Sequence, residues 1–380
     1  MHVTVEGAAG SGRVIVPVPA RATRIADMSI GLRAALMGLG IFLFIGLLSI
    51  VGAAAREASL PPGAEVDARR RRRSRVAQAA AVPLLALALL GGARWWEAEE
   101  GFYERNLYVP LAIDTRAIPG ADGRELVLEI TDARWTPQRF TPLLPDHGKL
   151  MHLFLVRAPG LDAFAHLHPA ALDSATFRTA LPALPAGEYR VYADILHESG
   201  FTQTLTDTIV VPGPTGAETV NLDPDDSWLV SAAATPPGGR APLEDGSTMV
   251  WTGETALRAG AETTLIFDVR DPAGAPAALQ PYMGMAAHAA ISRDDGSVFV
   301  HLHPLGTISM TSQRLFEDRA GGAGGAGGTR AMDPSAHPGV VGSSVDFPYE
   351  FPAPGSYGVW VQVKREGRVL TGSFAVEVVP

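Results

Sequence analysis

Two long uncharged segments near the start of this 380-residue chain constrain its fold more than any other feature. The first runs for 22 residues between Arg33 and Arg56, and the second runs from Val76 to Ala93 and is followed by two tryptophans. A helix of about 20 apolar residues crosses a bilayer, and tryptophan favours its interface. The sequence therefore predicts two transmembrane helices, although the shorter second segment also fits a buried core helix.

The charge pattern predicts an orientation for this pair of helices. The run ARRRRRSR, residues 68–75, lies between the two segments, and basic loops stay in the cytoplasm. Residues 1–96 carry 12 arginines and 5 acidic residues, whereas the rest of the chain carries 19 basic and 35 acidic residues. We therefore expect a hairpin over residues 31–96 in the cytoplasmic membrane, with an Arg-rich cytoplasmic loop. The C-terminal domains are then extracytoplasmic, and their acidity argues against nucleic acid as a partner.

The first 30 residues would then also be extracytoplasmic. VTVEGAAGSGRVIVPVPA has two alternating stretches around a Gly-rich turn, a pattern typical of a β-hairpin. We interpret residues 1–30 as a β remnant of an upstream domain.

An internal repeat organises the rest of the chain. Residues 187–211 align without gaps on residues 355–379, and MHLFLVRAPGLDAFAHLHP, from residue 151, aligns with one gap on AHAAISRDDGSVFVHLHP, from residue 287. Short alternating strands and frequent Pro and Gly predict a mostly β fold of sandwich type. The predicted organisation is two tandem β-sandwich domains, 104–213 and 245–380, joined by a linker, 214–244. The second domain carries a Gly-rich insertion, AGGAGGAGG.

Hairpin register places histidines together in each repeat. Asp295-Gly296 is typical of a two-residue turn, and it would place His288 opposite His303 with His301 on the same face. In the first repeat a longer turn would place His152 opposite His168, again with His166 on the shared face. The faces opposite these histidines are apolar and belong to the cores. The sequence thus predicts two three-histidine faces on the side away from each core.

These residue types favour a transition metal, and above all copper. Imidazole suits copper and zinc, nearby thioethers favour Cu(I), and the chain has no cysteine for a thiolate site. The alternative is that the histidines only make hydrogen bonds or pack against the partner domain. The candidate metal ligands are His152, His166, His168, His288, His301, His303, Met151, Met283, Met285 and His197; for His197 a simple surface position is the alternative.

Motifs for covalent chemistry do not occur in the sequence. It has no Gly-rich phosphate loop, dinucleotide fingerprint, HExxH helix or nucleophile elbow. We therefore do not expect an enzyme.

The stretches MHLFLVR, FAHLHP and ADILHESGF resemble the YtkA-like family of bacterial secreted or membrane-anchored proteins, and the paired HLHP motifs carry the resemblance. It implies immunoglobulin-like sandwiches outside the cytoplasmic membrane and a role in handling copper or other heavy metals. The expected function is a membrane-anchored extracytoplasmic protein that holds or transfers copper, with zinc as the alternative ion, and whose partner is a membrane or periplasmic metalloprotein. Two rival hypotheses are a non-metal interaction module and an assembly factor for a membrane metalloenzyme.

Overall fold

A computed structural model describes residues 2–7, 10–15, 25, 27–61, 63–105, 107–120, 123–135, 143–197, 200–213, 223–231, 234–304 and 342–380. The chain forms two compact units, one of residues 1–19 and 110–380 and the other of residues 20–109. The predicted Gly-rich insertion lies outside the described residues, as do parts of the predicted N-terminal β remnant and linker.

The unit of residues 20–109 contains two helices, α1 (Ile30–Glu57) and α2 (Ala68–Arg105). Both are long and apolar enough to cross a membrane, and most of their apolar side chains are exposed. The hydroxyl of Ser74 on α2 donates a hydrogen bond of 2.8 Å to the carbonyl of Gly52 on α1, which joins the two helices. The predicted apolar segments are therefore helical and paired.

The basic run does not form the loop between the helices, as the sequence suggested, but the first two turns of α2. Asp67 accepts a hydrogen bond from the backbone N–H of Arg70 at 2.7 Å, which satisfies a donor at the start of the helix. Arginine also favours helical backbone. The connection between the two helices is thus the short segment 58–67.

At the N-terminus, β1 (His2–Gly7) pairs in antiparallel fashion with β2 (Gly10–Ile15), which is the predicted hairpin.

The first sandwich has two antiparallel sheets. Its strands are β3 (Ile113–Pro119), β4 (Arg124–Ile130), β5 (Leu143–Leu144), β6 (Met151–Ala158), β7 (Ala163–Leu167), β8 (Ala170–Ala171), β9 (Thr176–Ala180), β10 (Gly187–His197), β11 (Thr202–Val211) and β12 (Ser227–Val230). One sheet has the order β3-β4-β9-β8, and the other has the order β11-β10-β6-β7-β12, with β5 paired to β10. Apolar residues of both sheets form one core, with Leu128 and Phe177 from the first sheet and Leu155 and Val191 from the second. Strand β12 comes from the segment predicted as a linker.

The second sandwich repeats this architecture. Its strands are β13 (Arg240–Pro242), β14 (Thr248–Trp251), β15 (Glu262–Arg270), β16 (His288–Arg293), β17 (Phe299–Leu302), β18 (Ser344–Glu350), β19 (Gly355–Arg365) and β20 (Arg368–Val378). The sheets have the orders β13-β14-β15-β18 and β17-β16-β19-β20. Trp251, Phe267 and Phe374 pack together in its core. The fold is thus mostly β, with two tandem sandwiches and two N-terminal apolar helices, as predicted.

Candidate metal centre

Both histidine-bearing hairpins have the register that the sequence predicts. In the second sandwich Ala290 of β16 lies opposite His301 of β17. In the first sandwich Phe154 of β6 lies opposite His166 of β7. Successive residues of a strand point to opposite faces, so the residues between the histidines point into the two hydrophobic cores. The histidines of each hairpin therefore share the face away from its core.

The two histidine-bearing faces pack against each other and exclude solvent. Phe164 of the first sandwich stacks on Trp360 of the second, with ring centroids 4.8 Å apart and planes 7° apart. Tyr192 and Phe299 form a second stack, with centroids 3.9 Å apart. These aromatic rings belong to a third apolar cluster that draws on both sandwiches. The imidazoles beside it lie in a buried interface.

Among the residues that the structure describes, seven imidazoles form a continuous cluster at this interface, with neighbouring ring centroids 4.5–5.4 Å apart. Two groups of three offer one nitrogen each, and within each group these nitrogens lie within 4.8 Å of one another. The group called here the first triad is His152, His166 and His301. The second triad is His147, His288 and His303. Each triad draws on both sandwiches, so the two repeats do not form separate sites.

His147 is the member of the second triad that sequence reasoning missed. It lies at the tip of a tight turn just before β6, with φ of 52°, and Gly148 follows with φ of 82°. Met283 and Gly284 form the equivalent turn before β16, with φ of 49° and 79°. Aligning PDHGK on PYMGM extends the internal repeat upstream by six residues and places His147 at the position of Met283, a predicted ligand. That alignment is the signal that could have found it.

Oxygen acceptors fix the orientation of four of the imidazoles. Nδ1–H of His147 donates to the carbonyl of Met283 at 2.9 Å, and Nε2–H of His152 donates to the carbonyl of Asp146 at 3.1 Å. Nδ1–H of His166 donates to Oε1 of Gln362 at 2.8 Å. Nδ1–H of His168 donates to the carboxylate of Asp226, also at 2.8 Å. In each neutral ring the other nitrogen then carries a lone pair, the arrangement typical of metal-binding histidines.

The carboxylate of Asp194 plays a similar part for His301. Its Oδ2 lies 3.4 Å from Nδ1 of His301, and its Oδ1 accepts a hydrogen bond of 2.6 Å from the hydroxyl of Thr204. Among the residues that the structure describes, Nε2 of His301 and both ring nitrogens of His288 have no hydrogen-bond partner. Buried polar atoms without partners are costly, by about 1–3 kcal/mol each.

Two lone pairs face each other inside the first triad. Nδ1 of His152 and Nε2 of His166 lie 3.1 Å apart, while the other nitrogen of each ring donates its proton to an oxygen, the carbonyl of Asp146 and Oε1 of Gln362 respectively. Two nitrogens bound at about 2.0–2.1 Å to one ion lie about 2.9 Å apart at a right angle and about 3.3 Å apart at the tetrahedral angle. The observed separation falls between these values, so the pair has the spacing of two ligands of one ion.

Burial keeps these imidazoles in the neutral form that binds metals. Removal from water lowers the pKa of His152, His166 and His288 well below the usual value, and the neighbouring imidazoles lower it further. Burial, followed by the effect of His147 and His168, lowers the pKa of His301 to about 3. Protons therefore compete weakly with a metal ion for these nitrogens near neutral pH.

In a third group, which contains a histidine and two carboxylates, protein contacts already engage both carboxylates. The carboxylate of Asp226 accepts from both the backbone N–H and Nδ1–H of His168, and from the backbone N–H of Asp223. Asp223 pairs with the ammonium group of Lys149 at 2.6 Å. This group therefore orients His168, whose ring centroid lies 5.1 Å from that of His152 and 4.6 Å from that of His166.

The other predicted ligands lie outside the two triads. Met151 is fully buried in the core of the first sandwich, on the opposite face of β6 from His152. Met283 contributes its carbonyl to His147, while Met285 is buried beside that turn and pairs with Tyr282 through its backbone. His197 is also buried and donates to the amide oxygen of Gln203 at 3.0 Å, so it is not a surface residue.

A family model described as "Domain of unknown function (DUF8832)" matches residues 109–213 and 242–380, which is more than half of the chain. The chain belongs to the DUF8832 family. The matched DUF8832 regions contain both triads, Asp194 and Gln362, whereas Asp223 and Asp226 lie between them. The resemblance to the YtkA-like family stays a prediction.

Comparison with known proteins adds little to the DUF8832 assignment. No curated protein matches. Among solved structures, the chain is similar to a biofilm-associated protein BSP domain (10% identity, covering 70% of this chain and 30% of that chain, TM-score 0.15). It is also similar to the chicken interferon gamma receptor alpha chain (11% identity, covering 72% of this chain and 100% of that chain, TM-score 0.18). A third similar structure is Parabacteroides merdae β-glucuronidase (9% identity, covering 73% of this chain and 25% of that chain, TM-score 0.16). This chain thus spans less than a third of the first and third structures, and TM-scores this low carry no argument.

Proposed function

We propose that this protein is anchored in the cytoplasmic membrane and binds copper at the imidazole cluster between its two extracytoplasmic sandwiches. The observation that carries the proposal is the close approach of two ring nitrogens, Nδ1 of His152 and Nε2 of His166, which lie 3.1 Å apart in a buried interface while the other nitrogen of each ring faces an oxygen. A purely structural hydrogen-bonding pair would place a proton between the two nitrogens. An ion bound there would compensate the repulsion between the lone pairs and would also satisfy the buried nitrogen of His301.

The donor set supports copper over the alternative, zinc. The two triads consist of neutral imidazoles, which bind copper, zinc and nickel, and among divalent ions the general order of affinity places copper above zinc. The chain has no cysteine that would provide a competing thiolate. The outer contacts from Met283, Asp146, Gln362 and Asp226 hold the rings in their binding tautomers.

Membrane anchoring rests on the two apolar helices, and the orientation rests on the basic run at the start of α2. Basic residues beside membrane helices are retained in the cytoplasm. The sandwiches then lie outside, which agrees with what the resemblance to the YtkA-like family implies.

Holding and transfer of the ion fit the site better than covalent chemistry. A small cavity of about 30 Å³ is lined by His152, His301, His303 and Asp194, so it reaches both triads. It is large enough for a species of the size of water, and thus for a single ion. A membrane or periplasmic metalloprotein is the expected recipient.

A titration with matched variants tests the proposal. The full-length chain in detergent is titrated with Cu(I) under anaerobic conditions against a chromophoric chelator, and with Cu(II) and Zn(II) in parallel. We expect tight binding of Cu(I). His301→Ala/His303→Ala removes one ligand from each triad, and we expect it to weaken binding at least 100-fold, since loss of outer contacts alone costs about 10–100-fold.

His197→Ala is the matched control, because this buried histidine lies outside both triads. It should leave the affinity unchanged. Equal affinity of the double variant and the wild type would refute the site, and no binding of any of the three ions would refute the proposed function.

A further inference from the structure

The number of imidazoles in the cluster exceeds what one ion can bind. Sites built from histidine hold an ion with three or four protein ligands, and seven imidazoles gather here. The two triads have no member in common. His168 adjoins the first triad with its Nε2 buried and, within the described residues, without a hydrogen-bond partner. The cluster therefore divides into a group of three or four imidazoles and a group of three.

The two triads are immediate neighbours. His301 and His303 lie two residues apart on one face of the same hairpin, and one belongs to each triad; their ring centroids are 4.5 Å apart. His288 of the second triad also lies 5.4 Å from His301 of the first, centroid to centroid. The two triads thus meet through adjacent imidazole rings.

Charge decides which ions fill such a pair of sites. All six triad members are imidazoles, and the carboxylates described near them stand beside histidines: Asp194 beside His301, Asp226 on His168, and Asp146, whose Oδ1 lies 3.8 Å from Nε2 of His147. The repulsion between two ions scales with the product of their charges and is strong in a dry interface. It is therefore four times larger for two divalent ions than for two monovalent ions at the same separation.

We propose that the two triads form a single two-ion centre and that the load it accepts is a pair of Cu(I) ions. The inference rests on the proposed function and adds the number and the charge of the ions. Divalent ions fill one triad, and the second divalent ion binds much more weakly because of the first. Because each triad bridges both sandwiches, the pair of ions also clamps the interface.

The test counts the ions on the full-length chain in detergent. Cu(I) is added anaerobically in the presence of a competing chelator, and bound copper per chain is measured after gel filtration. We expect two Cu(I) per wild-type chain. His152→Ala removes a ligand from the first triad and His147→Ala removes one from the second, so each variant should bind one Cu(I). His197→Ala should retain two. Zn(II) should show one tight equivalent and a second at least tenfold weaker.

Spectroscopy of the wild type covers the case in which a variant fails to fold. At one equivalent, Cu(II) should give the paramagnetic resonance spectrum of an isolated ion, and excess Cu(II) should add the half-field signal of a coupled pair. One Cu(I) per wild-type chain, or an isolated-ion spectrum at full loading, would overturn the two-ion centre and leave the proposed function standing. Two Zn(II) of equal affinity would overturn the preference for monovalent ions. No bound Cu(I) would overturn this inference, and no bound copper in either oxidation state would refute both proposals.

Discussion

Asp194 and Gln362 show at the residue scale how the duplicated fold orients its imidazoles. The repeat alignment makes these two residues equivalent, and both lie on the strand next to their own histidine hairpin. Each reaches across to the other sandwich, Asp194 to His301 and Gln362 to His166, which are themselves equivalent. The interface therefore has an approximate two-fold relation between its positioning residues.

Replacement of Asp194 should weaken metal binding without removing a ligand. Asp194→Leu removes the acceptor beside Nδ1 of His301, and we expect Cu(I) affinity to fall about 10–100-fold. Asp194→Asn keeps an oxygen acceptor and should lose less. Competition with a chromophoric chelator measures both.

Glu188→Gln is the matched control, an exposed position on the same strand β10. It should bind like the wild type. If Asp194→Leu also keeps the wild-type affinity, Asp194 does not position His301.

Residue types and spacing predicted six of the seven clustered histidines. The two HLHP motifs and the alternation of side chains along a strand show which histidines share a face, and both can be recognised from neighbouring residues alone. His147 was missed because a turn residue belongs to no alternating pattern. The prediction that His197 is a metal ligand rested on its type and its place near a hairpin tip, whereas the structure has it donate to Gln203, six residues further along the same β10–β11 hairpin.

At the scale of elements, turn chemistry made the register of the second hairpin predictable. Gly296 has φ of 75°, a conformation that glycine adopts without strain, and this fixes which residues of β16 and β17 face each other. The first hairpin has a longer turn, and the predicted pairing of His152 with His168 gives the observed register, whereas its apolar alternation determines only which face each residue is on. A shift of one residue would have turned the histidines into the core.

The aromatic stacks were not predictable in the same way, because they join strands of different sandwiches. Tyr192 and Trp360 are equivalent in the repeat, and each stacks on a phenylalanine of the other sandwich, Phe299 and Phe164. Strand periodicity shows that these rings lie away from the core but not what covers them.

Trp360→Ala should destabilise the interface and the site together. The indole is 1% exposed, and loss of a buried tryptophan costs about 3–5 kcal/mol of the free energy of unfolding. In the variant, part of the free energy of metal binding is needed to form the weakened interface, and each 1.4 kcal/mol used in this way lowers the affinity tenfold. We therefore expect Cu(I) to bind at least about tenfold more weakly. Urea unfolding and chelator competition measure the two effects.

Trp251→Ala is the matched control, since this indole is equally buried in the core of the second sandwich, away from the interface. It should lower stability but leave the Cu(I) affinity of the folded protein nearly unchanged. Similar losses of affinity in both variants would mean that the stacks have no special role in holding the site.

At the scale of the whole molecule, the sequence predicts the parts and not their docking. Two apolar helices and two sandwiches follow from hydropathy and repeats. The joining of two histidine faces into one buried cluster depends on tertiary complementarity spread over residues more than 100 positions apart, such as His166 and Gln362. Strand periodicity therefore predicts two histidine faces but not their union in one cluster.

Burial of neutral imidazoles makes the stability of the paired sandwiches depend on pH. The folded-state pKa of His152, His166, His288 and His301 lies below the ordinary 6.5, chiefly because of burial. Below pH 6.5 the unfolded chain therefore binds protons that the folded chain does not, and stability falls as the pH falls. Each such proton contributes at most about 1.4 kcal/mol per pH unit.

Asp194 acts in the opposite direction, because burial raises its pKa from 3.8 to about 6. Its contribution is fully present below pH 3.8 and is lost as the pH rises through about 6. Four histidines less one aspartate leave a net difference of three protons between the unfolded and folded chains. The free energy of unfolding in metal-free buffer should therefore fall by up to roughly 4 kcal/mol per pH unit between pH 6 and pH 4.

Urea unfolding followed by tryptophan fluorescence at pH 7.5, 6, 5 and 4.5 measures this slope on the metal-free chain. His152→Phe removes one of the four imidazoles and should reduce the slope by about one proton. Saturating Cu(I) binds the folded form and should move the loss of stability to lower pH. Equal stability at pH 7.5 and pH 4.5 without metal would mean that these imidazoles bind protons in the folded state as they do in the unfolded one. The interface would then not be the dry environment on which the metal centre depends.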